Sequence, residues 1–308
     1  MIPADFDYLR PATIAEALEM ASRDDNVTFL AGGHALLPEW KLSRKGPSTV
    51  IDLGRVGELR GIEVFSDGDA QEAGGDGRPG GVVRIGAMTT SAEIEHSAGI
   101  ARAAPLLPLA ATVISDPLIR NRATLGGSLA EASPSGDWPP VVLAADATIH
   151  LRGRDGERAV PARDFFSADG TGFGSKAITL RRGELLTAVT VPATSPLTRS
   201  TYLKRMHPAS GHAMIGVAVA VAFDSSGICH QCRIAITGVG AIATRAVRAE
   251  ERLAGSRLTA DVIEAAANVA ADGIAFTGDA FGSAAYLADL LPVYVNRALA
   301  HIAAPAPT

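Results

Sequence analysis

Residues 28–42 read TFLAGGHALLPEWKL, and residues 124–140 read TLGGSLAEASPSGDWPP. Each stretch sets a Gly-Gly pair, Gly32-Gly33 or Gly126-Gly127, after apolar or small residues and before a segment of helical character. Glycine at such a junction permits positive φ and lets backbone come close to a neighbour. Successive N–H groups there can form an anion-binding nest, helped by a helix N-terminus. Two nests in one chain suit a ligand with two linked phosphates and a long body. Taken singly, either pair is more simply a tight turn, because isolated glycine motifs recur without function. Neither fits G-x-G-x-x-G, and G-x-x-x-x-G-K-[ST] does not occur, so a Rossmann site and a P-loop are not supported.

Outward from the first turn, Thr13 to Glu16 fits a capping box, with a helix to about Ser22. "VTFL" (27–30) reads as a buried strand ending at the glycines, and "TVIDL" (49–53) as another. Strands follow at "GIEVF" and "VVRIGAM", separated by the Gly- and Asp-rich segment 66–81, which reads as a surface insertion. Thr90 to Glu93 is a second capping box, and an apolar helix is expected over Leu106 to Ile114. Asp137 is placed to N-cap a helix through "PPVVLAADA". A hairpin is expected around Asp155-Gly156, and "ELLTAVTVP" ends near Pro192.

The segment "ATSPLTRS" (193–200) reads as a linker. Strands are then expected at 201–206, 213–223 and 229–237, with helices at 245–254, 260–272 and 283–301. Pro292 should kink or split the last of these, and the tail "APAPT" should fray. The fold class is α+β. Residues 1–193 form one domain of two lobes (about 1–55 and 56–193), and 194–308 form a smaller domain with a three-stranded antiparallel sheet on helices.

Composition limits the function. The chain has 308 residues, 47% hydrophobic and 20% charged, with formal net charge −5. Such a balance lacks the basic footprint of a nucleic-acid binder. The longest apolar run, 213–223, is too short to span a membrane. The first residues show neither a basic nor an apolar signal region. With two cysteines, Cys229 and Cys232, a disulfide framework is not expected, and a cytoplasmic setting fits. The run Cys229-His230-Gln231-Cys232 invites a metal or redox reading. Positions three apart on a strand face opposite ways, however, and structural zinc wants four ligands.

In order and spacing, "FDYLRP…AGGHALLPEWKL…VIDL…IGAMTT…ISDPLIRNRATLGGSLAEASPSGDWPPVVLAADA" resembles the FAD-binding medium subunit of the molybdenum hydroxylases. The resemblance runs from Ile2 to about Ala300. It implies a PCMH-type FAD-binding domain followed by a C-terminal domain of the carbon monoxide dehydrogenase flavoprotein type. It also implies that one noncovalent FAD is held from two sides, by Ala31, Gly32, Gly33, His34 and Ala35, and by Thr124, Gly126, Gly127 and Ser128. Asp137 matches an acid that hydrogen-bonds the cofactor, and Ile114 a position near the flavin. The family often has Ser at the position of Ala35, Asn at that of Ser128 and Asp at that of Ser133.

"YLKRMHPASGHAMIGVAVAV" (202–221) is similar to the segment that opens the family's C-terminal domain. Lys204 matches its lysine, and His212 falls where relatives carry Tyr or another ring near the isoalloxazine. Otherwise His212 is a solvent-facing loop residue, and His207, before Pro208, reads as a turn residue.

A [2Fe–2S] cluster needs four protein ligands, which this chain is not expected to supply. The resemblance therefore implies electrons arriving from elsewhere: a large molybdenum-cofactor subunit, then a small iron–sulfur subunit, then this flavin, in a dimer of heterotrimers. The rivals are a self-sufficient flavin oxidoreductase of the same FAD-binding superfamily, a nicotinamide dehydrogenase and a non-enzymatic interaction module.

Overall fold

In the computed structural model, residues 5–42, 46–66, 80–166 and 178–304 are described. Most of the 66–81 insertion and nearly all of the "APAPT" tail lie outside them.

The chain opens with strand β1 (Asp7–Leu9), helix α1 (Ile14–Ala21), β2 (Val27–Leu30), α2 (Leu36–Leu42) and β3 (Thr49–Asp52). The strands form a small parallel sheet in the order β1-β3-β2. Thr13 starts α1 by accepting from the Glu16 amide. Glu16 reaches back to the amide of Ala12 rather than to that of Thr13, so the capping box is offset by one residue. Ile14, Ala17, Leu18 and Ala21 form the buried stripe.

A second sheet has the order β4-β5-β8-β6-β7, antiparallel throughout: β4 (Ile62–Phe65), β5 (Val82–Gly86), β6 (Thr148–Gly153), β7 (Gly156–Pro161) and β8 (Leu185–Pro192). The β6–β7 turn pairs Gly153 with Gly156, so Arg154-Asp155 forms its tip and Gly156 takes φ +123°. Between β5 and β6 lie α3 (Ser91–Glu95), α4 (Ala98–Ala103), α5 (Leu106–Ala111), α6 (Pro117–Arg120), α7 (Leu125–Glu131) and α8 (Trp138–Ala144). The Thr90–Glu93 capping box at α3 is complete. A further short helix, α9 (Ala162–Phe165), follows β7.

The third sheet has four strands where the sequence suggests three: β12-β11-β10-β9. They are β9 (Thr198–Met206), β10 (Ala213–Phe223), β11 (Cys229–Thr237) and the two-residue β12 (Thr244–Arg245), too short to carry a periodic signal. Because β9 begins at Thr198, the connecting segment is shorter than the linker read from the sequence. Helices α10 (Val247–Leu253), α11 (Ala260–Asn268) and α12 (Ala284–Ala303) complete the chain.

Helix α12 runs through Pro292 without splitting. Leu287 and Leu291 before the proline and Val295, Ala298, Leu299 and Ile302 after it are buried in one core, whose packing offsets the lost backbone bond. The strand β10 is buried on both faces. Val217, Val219 and Val221 join the core of the C-terminal helices, whereas Ala218 joins the core of the first two sheets. Helices α5 and α8 pack on this small-residue face, so the third sheet is the wall on which the rest of the molecule rests.

The cysteines correct a further expectation. A register shift between Ala222 and Phe223 pairs Phe223 with Cys229 and Ala222 with Gln231. The extra residue on β11 cancels the alternation, and Cys229 and Cys232 are both buried in the same core. Among the described residues, no group of three or more His, Cys, Asp or Glu is placed to hold a metal ion. Nor is any described helix long and apolar enough to cross a membrane.

Candidate functional site

A cleft of about 1260 Å³ runs between the first two sheets and reaches the β9–β10 loop. All of the sequence-expected site residues except Lys204 line it: Ala31, Gly32, Gly33, His34, Ala35, Ile114, Thr124, Gly126, Gly127, Ser128, Asp137 and His212.

The first turn leaves β2 at Leu30, and Gly33 takes φ +80°, a conformation that disfavours a side chain. Gly32 is needed for closeness instead: a Cβ built there would lie 2.2 Å from the Arg122 carbonyl oxygen. Among the described residues, none accepts a hydrogen bond from the amides of Gly32, Gly33, His34 or Ala35. Consecutive amides without an acceptor, in residues that line a cleft, are a backbone arrangement able to bind an anion.

The second turn differs from the nest expected of it. The Leu125 amide donates to Thr89, Gly126 to the Ala87 carbonyl at 2.9 Å, and Gly127 to Thr124 Oγ1 at 3.1 Å. These donors are already engaged. The turn contributes close approach: a Cβ on Gly126 would meet Ala87 Cβ at 2.6 Å. The Thr124 hydroxyl caps α7, and Ser128 adds a second hydroxyl to the cleft.

Asp137 stands at the N-cap position of α8, but its side chain does not cap the helix. The carboxylate turns instead into the interface with β9. Oδ1 accepts from Tyr202 Oη at 2.6 Å and Oδ2 from Lys204 Nζ at 2.9 Å. The lysine also donates to the Val113 carbonyl at 3.2 Å. Lys204 does not line the cleft and bears on it through this ion pair, whose side chains are 3% and 7% exposed. Burial first, and then the facing Asp137 carboxylate, push the Tyr202 phenol well above its usual range, so it stays a donor.

Sequence reading missed both Tyr202 and Ser115. Ser115 lines the cleft with φ +46°, beside Ile114 and ahead of Asp116, whose side chain caps α6. Arg120, paired with Glu95 at 2.7 Å, donates to the carbonyls of Ile114 and Ser115 and holds that turn. Nothing in Ser-Asp-Pro signals positive φ. For Tyr202, the signal was available in the small residues Gly216 and Ala218 across from it on β10.

Part of the lining is charged: Asp24, Asp25, Arg154, Arg158, Arg181, Arg182 and Glu184. Arg158 makes a bidentate pair with Glu184 at 2.7 Å, and Arg182 joins Asp25 at 2.6 Å, tying the second sheet to the first. From the β9–β10 loop, Ser210, Gly211 and His212 also line the cleft; Ser210 and His212 are exposed and Gly211 is half-buried.

Comparison with known proteins bears on the family and the fold. Residues 4–194 match the model of the FAD binding domain in molybdopterin dehydrogenase, and residues 200–302 that of the CO dehydrogenase flavoprotein C-terminal domain. The carbon monoxide dehydrogenase medium chain of Hydrogenophaga pseudoflava is 34% identical over 300 residues, covering 97% of each chain. The nicotine 6-hydroxylase medium subunit of Paenarthrobacter nicotinovorans is 32% identical, covering 95% of each. The structure of the Hydrogenophaga pseudoflava carbon monoxide dehydrogenase lacking the Mo-pyranopterin moiety superposes with a TM-score of 0.87, at 34% identity and 98% coverage of both chains.

Proposed function

This chain belongs to the FAD-binding medium-subunit family of the molybdenum hydroxylases, and we propose from that premise that its FAD relays electrons from a partner iron–sulfur subunit to a terminal acceptor. The observation that carries the placement of the cofactor is the row of four unengaged amides at residues 32–35. They are assigned to the FAD pyrophosphate, with the Thr124–Ser128 turn closing on its other side. The body of the cofactor lies along the cleft, with Ile114, Asp137 and His212 toward the flavin and Lys204 acting behind Asp137. FAD supplies the electron transfer; the protein binds it, orients it and sets the charge around it.

The partners in this reading are a large molybdenum-cofactor subunit and a small iron–sulfur subunit, arranged as a dimer of heterotrimers in the cytoplasm. Residues 1–193 form the FAD-binding domain, and 194–308 the domain that backs it. The two medium-chain relatives belong to enzymes named for carbon monoxide and for nicotine. Such unlike substrates fit a shared flavin subunit that does not itself select the substrate.

The test is to assay the purified full chain alone and after mixing with its proposed iron–sulfur and molybdenum partner subunits. Alone, it should be yellow, reoxidise with artificial acceptors and turn over no organic substrate. Steady oxidation of an aldehyde or N-heterocycle by the chain alone would replace this reading with a self-sufficient flavin oxidoreductase.

A further inference from the structure

Tyr202 and Lys204 lie two residues apart on β9 and so project from the same face, and they take one oxygen each of the Asp137 carboxylate. Two anchors on two oxygens fix the plane of the group. A carboxylate has about four acceptor sites, so each oxygen keeps one for a ligand in the cleft.

The strand opposite is shaped around this phenol. A Cβ built on Gly216 would stand 2.4 Å from Tyr202 Oη and 2.8 Å from Thr237 Cγ2. Glycine inside a strand is destabilising relative to alanine, and its presence marks a close approach. Here the group that approaches is the Tyr202 hydroxyl. Gly216 pairs with Lys204, and Ala218 pairs with Tyr202, so both cross-strand neighbours are small. A residue that only filled the core would need the ring; the space left by Gly216 accommodates its oxygen.

We propose that Tyr202 is a positioning residue whose hydroxyl, admitted by Gly216, aims the Asp137 carboxylate at the FAD in the cleft. This rests on the placement of Asp137 against FAD given above. The role belongs to the hydroxyl and acts through Asp137, so removing either group should cost the same interaction once.

The experiment is FAD titration of the deflavinated full chain, followed by quenching of flavin fluorescence. Tyr202→Phe, which keeps the ring, and Asp137→Asn should each raise the Kd about tenfold. The double variant should be no weaker than the weaker single variant. Gly216→Ala, which displaces the hydroxyl while keeping it, should reproduce Tyr202→Phe, and both should alter the visible circular dichroism of bound flavin alike. A Tyr202→Phe Kd within twofold of wild type, with Asp137→Asn weakened, overturns the positioning role and leaves Asp137 as a cofactor contact. Additive losses in the double variant also overturn it. If both single variants bind FAD as wild type does, Asp137 is not a cofactor contact, and the inference falls with that placement.

Discussion

A Cβ built on Gly127 would stand 3.3 Å from the Cβ of Ala31, so the two glycine turns lie against each other. The contact continues at Gly32, which packs on the backbone of Arg122 and Ala123 just ahead of the second turn. The first turn follows β2 of the three-stranded sheet, the second lies between β5 and β6 of the five-stranded sheet, and both line the cleft. This explains why the chain carries the same dipeptide twice: each pair lets one backbone approach the other, and the first also leaves its amides without an acceptor among the described residues.

Gly32→Ala should therefore disturb both turns, because its Cβ would lie 2.2 Å from a backbone oxygen that cannot rotate away. We expect FAD binding at least tenfold weaker and a lower thermal midpoint. Gly33→Ala should be milder. Its Cβ meets the flexible end of Leu37 at 3.0 Å, and holding alanine at φ +80° costs about 1–2 kcal/mol. The flavin-to-protein absorbance ratio and a melting curve separate the two. Full flavin content in Gly32→Ala would show that the abutting turns are not needed for binding.

The expected helices and strands owe their legibility to local periodicity. The α1 stripe, the run Val27–Leu30, and β10 and β11 all stand where their patterns placed them. What escaped depends on distant partners. The two-residue β12 exists because β11 offers it an edge, and α12 passes Pro292 because core packing holds both of its halves. At the site, the glycines were visible as residue types, but their division of labour was not. Whether an amide is engaged depends on Ala87 and Thr89, which lie far away in sequence. Asp137 was legible as an acid before Trp-Pro-Pro, whereas its partners on β9 were fixed only by the packing of α8 on the third sheet.

The His150 imidazole in β6 accounts for part of the acid sensitivity expected of this protein. Burial, reinforced by the Arg84 cation, lowers it to about 4, and its Nε2 lies 2.9 Å from Thr190 Oγ1. The folded chain thus resists a proton that the unfolded chain accepts near 6.5. Unfolding binds that proton between these values, so the stability is intact above about pH 6.5 and falls toward pH 4. The shift sets a ceiling of about 3 kcal/mol, and partial solvent exposure reduces it to about 1–2 kcal/mol. Urea unfolding at several pH values should show a smaller loss over this window in His150→Gln, which does not titrate. Equal slopes in both proteins would remove His150 from the account.

Glu250 ties α10 to two strands. Its Oε1 accepts from the Ile234 amide at 2.8 Å and from Arg245 Nε at 2.9 Å, and its Oε2 pairs with the same guanidinium. Glu250→Ala would leave Arg245 half-buried without its partner and the β11 amide without an acceptor. Breaking such a pair costs about 3 kcal/mol. Denaturant unfolding followed by tryptophan fluorescence and far-ultraviolet circular dichroism should register the loss. A change below about 1 kcal/mol would show that water replaces the carboxylate.

The loop that carries His212 is held in place from both ends. The His207 amide donates to the His212 carbonyl at 2.8 Å, and the Gly211 amide to the His207 carbonyl at 2.9 Å. The His207 ring in turn sits 3.0 Å from Asp279 Oδ2 and edge-on to Phe281, 4.6 Å between centroids. His212, which lines the cleft, is therefore held by a braced turn. In the proposed placement it lies toward the flavin, where an imidazole, unlike the ring of Phe, carries an N–H that can donate a hydrogen bond. Such a donor favours the negative charge gained on reduction and raises the midpoint potential. Redox titration should therefore give wild type a higher potential than His212→Phe. His207→Ala, which removes the brace, should lower the potential toward that of His212→Phe without abolishing flavin binding. Equal potentials in wild type and His212→Phe would mean that His212 does not tune the flavin, and its place in the site would be withdrawn.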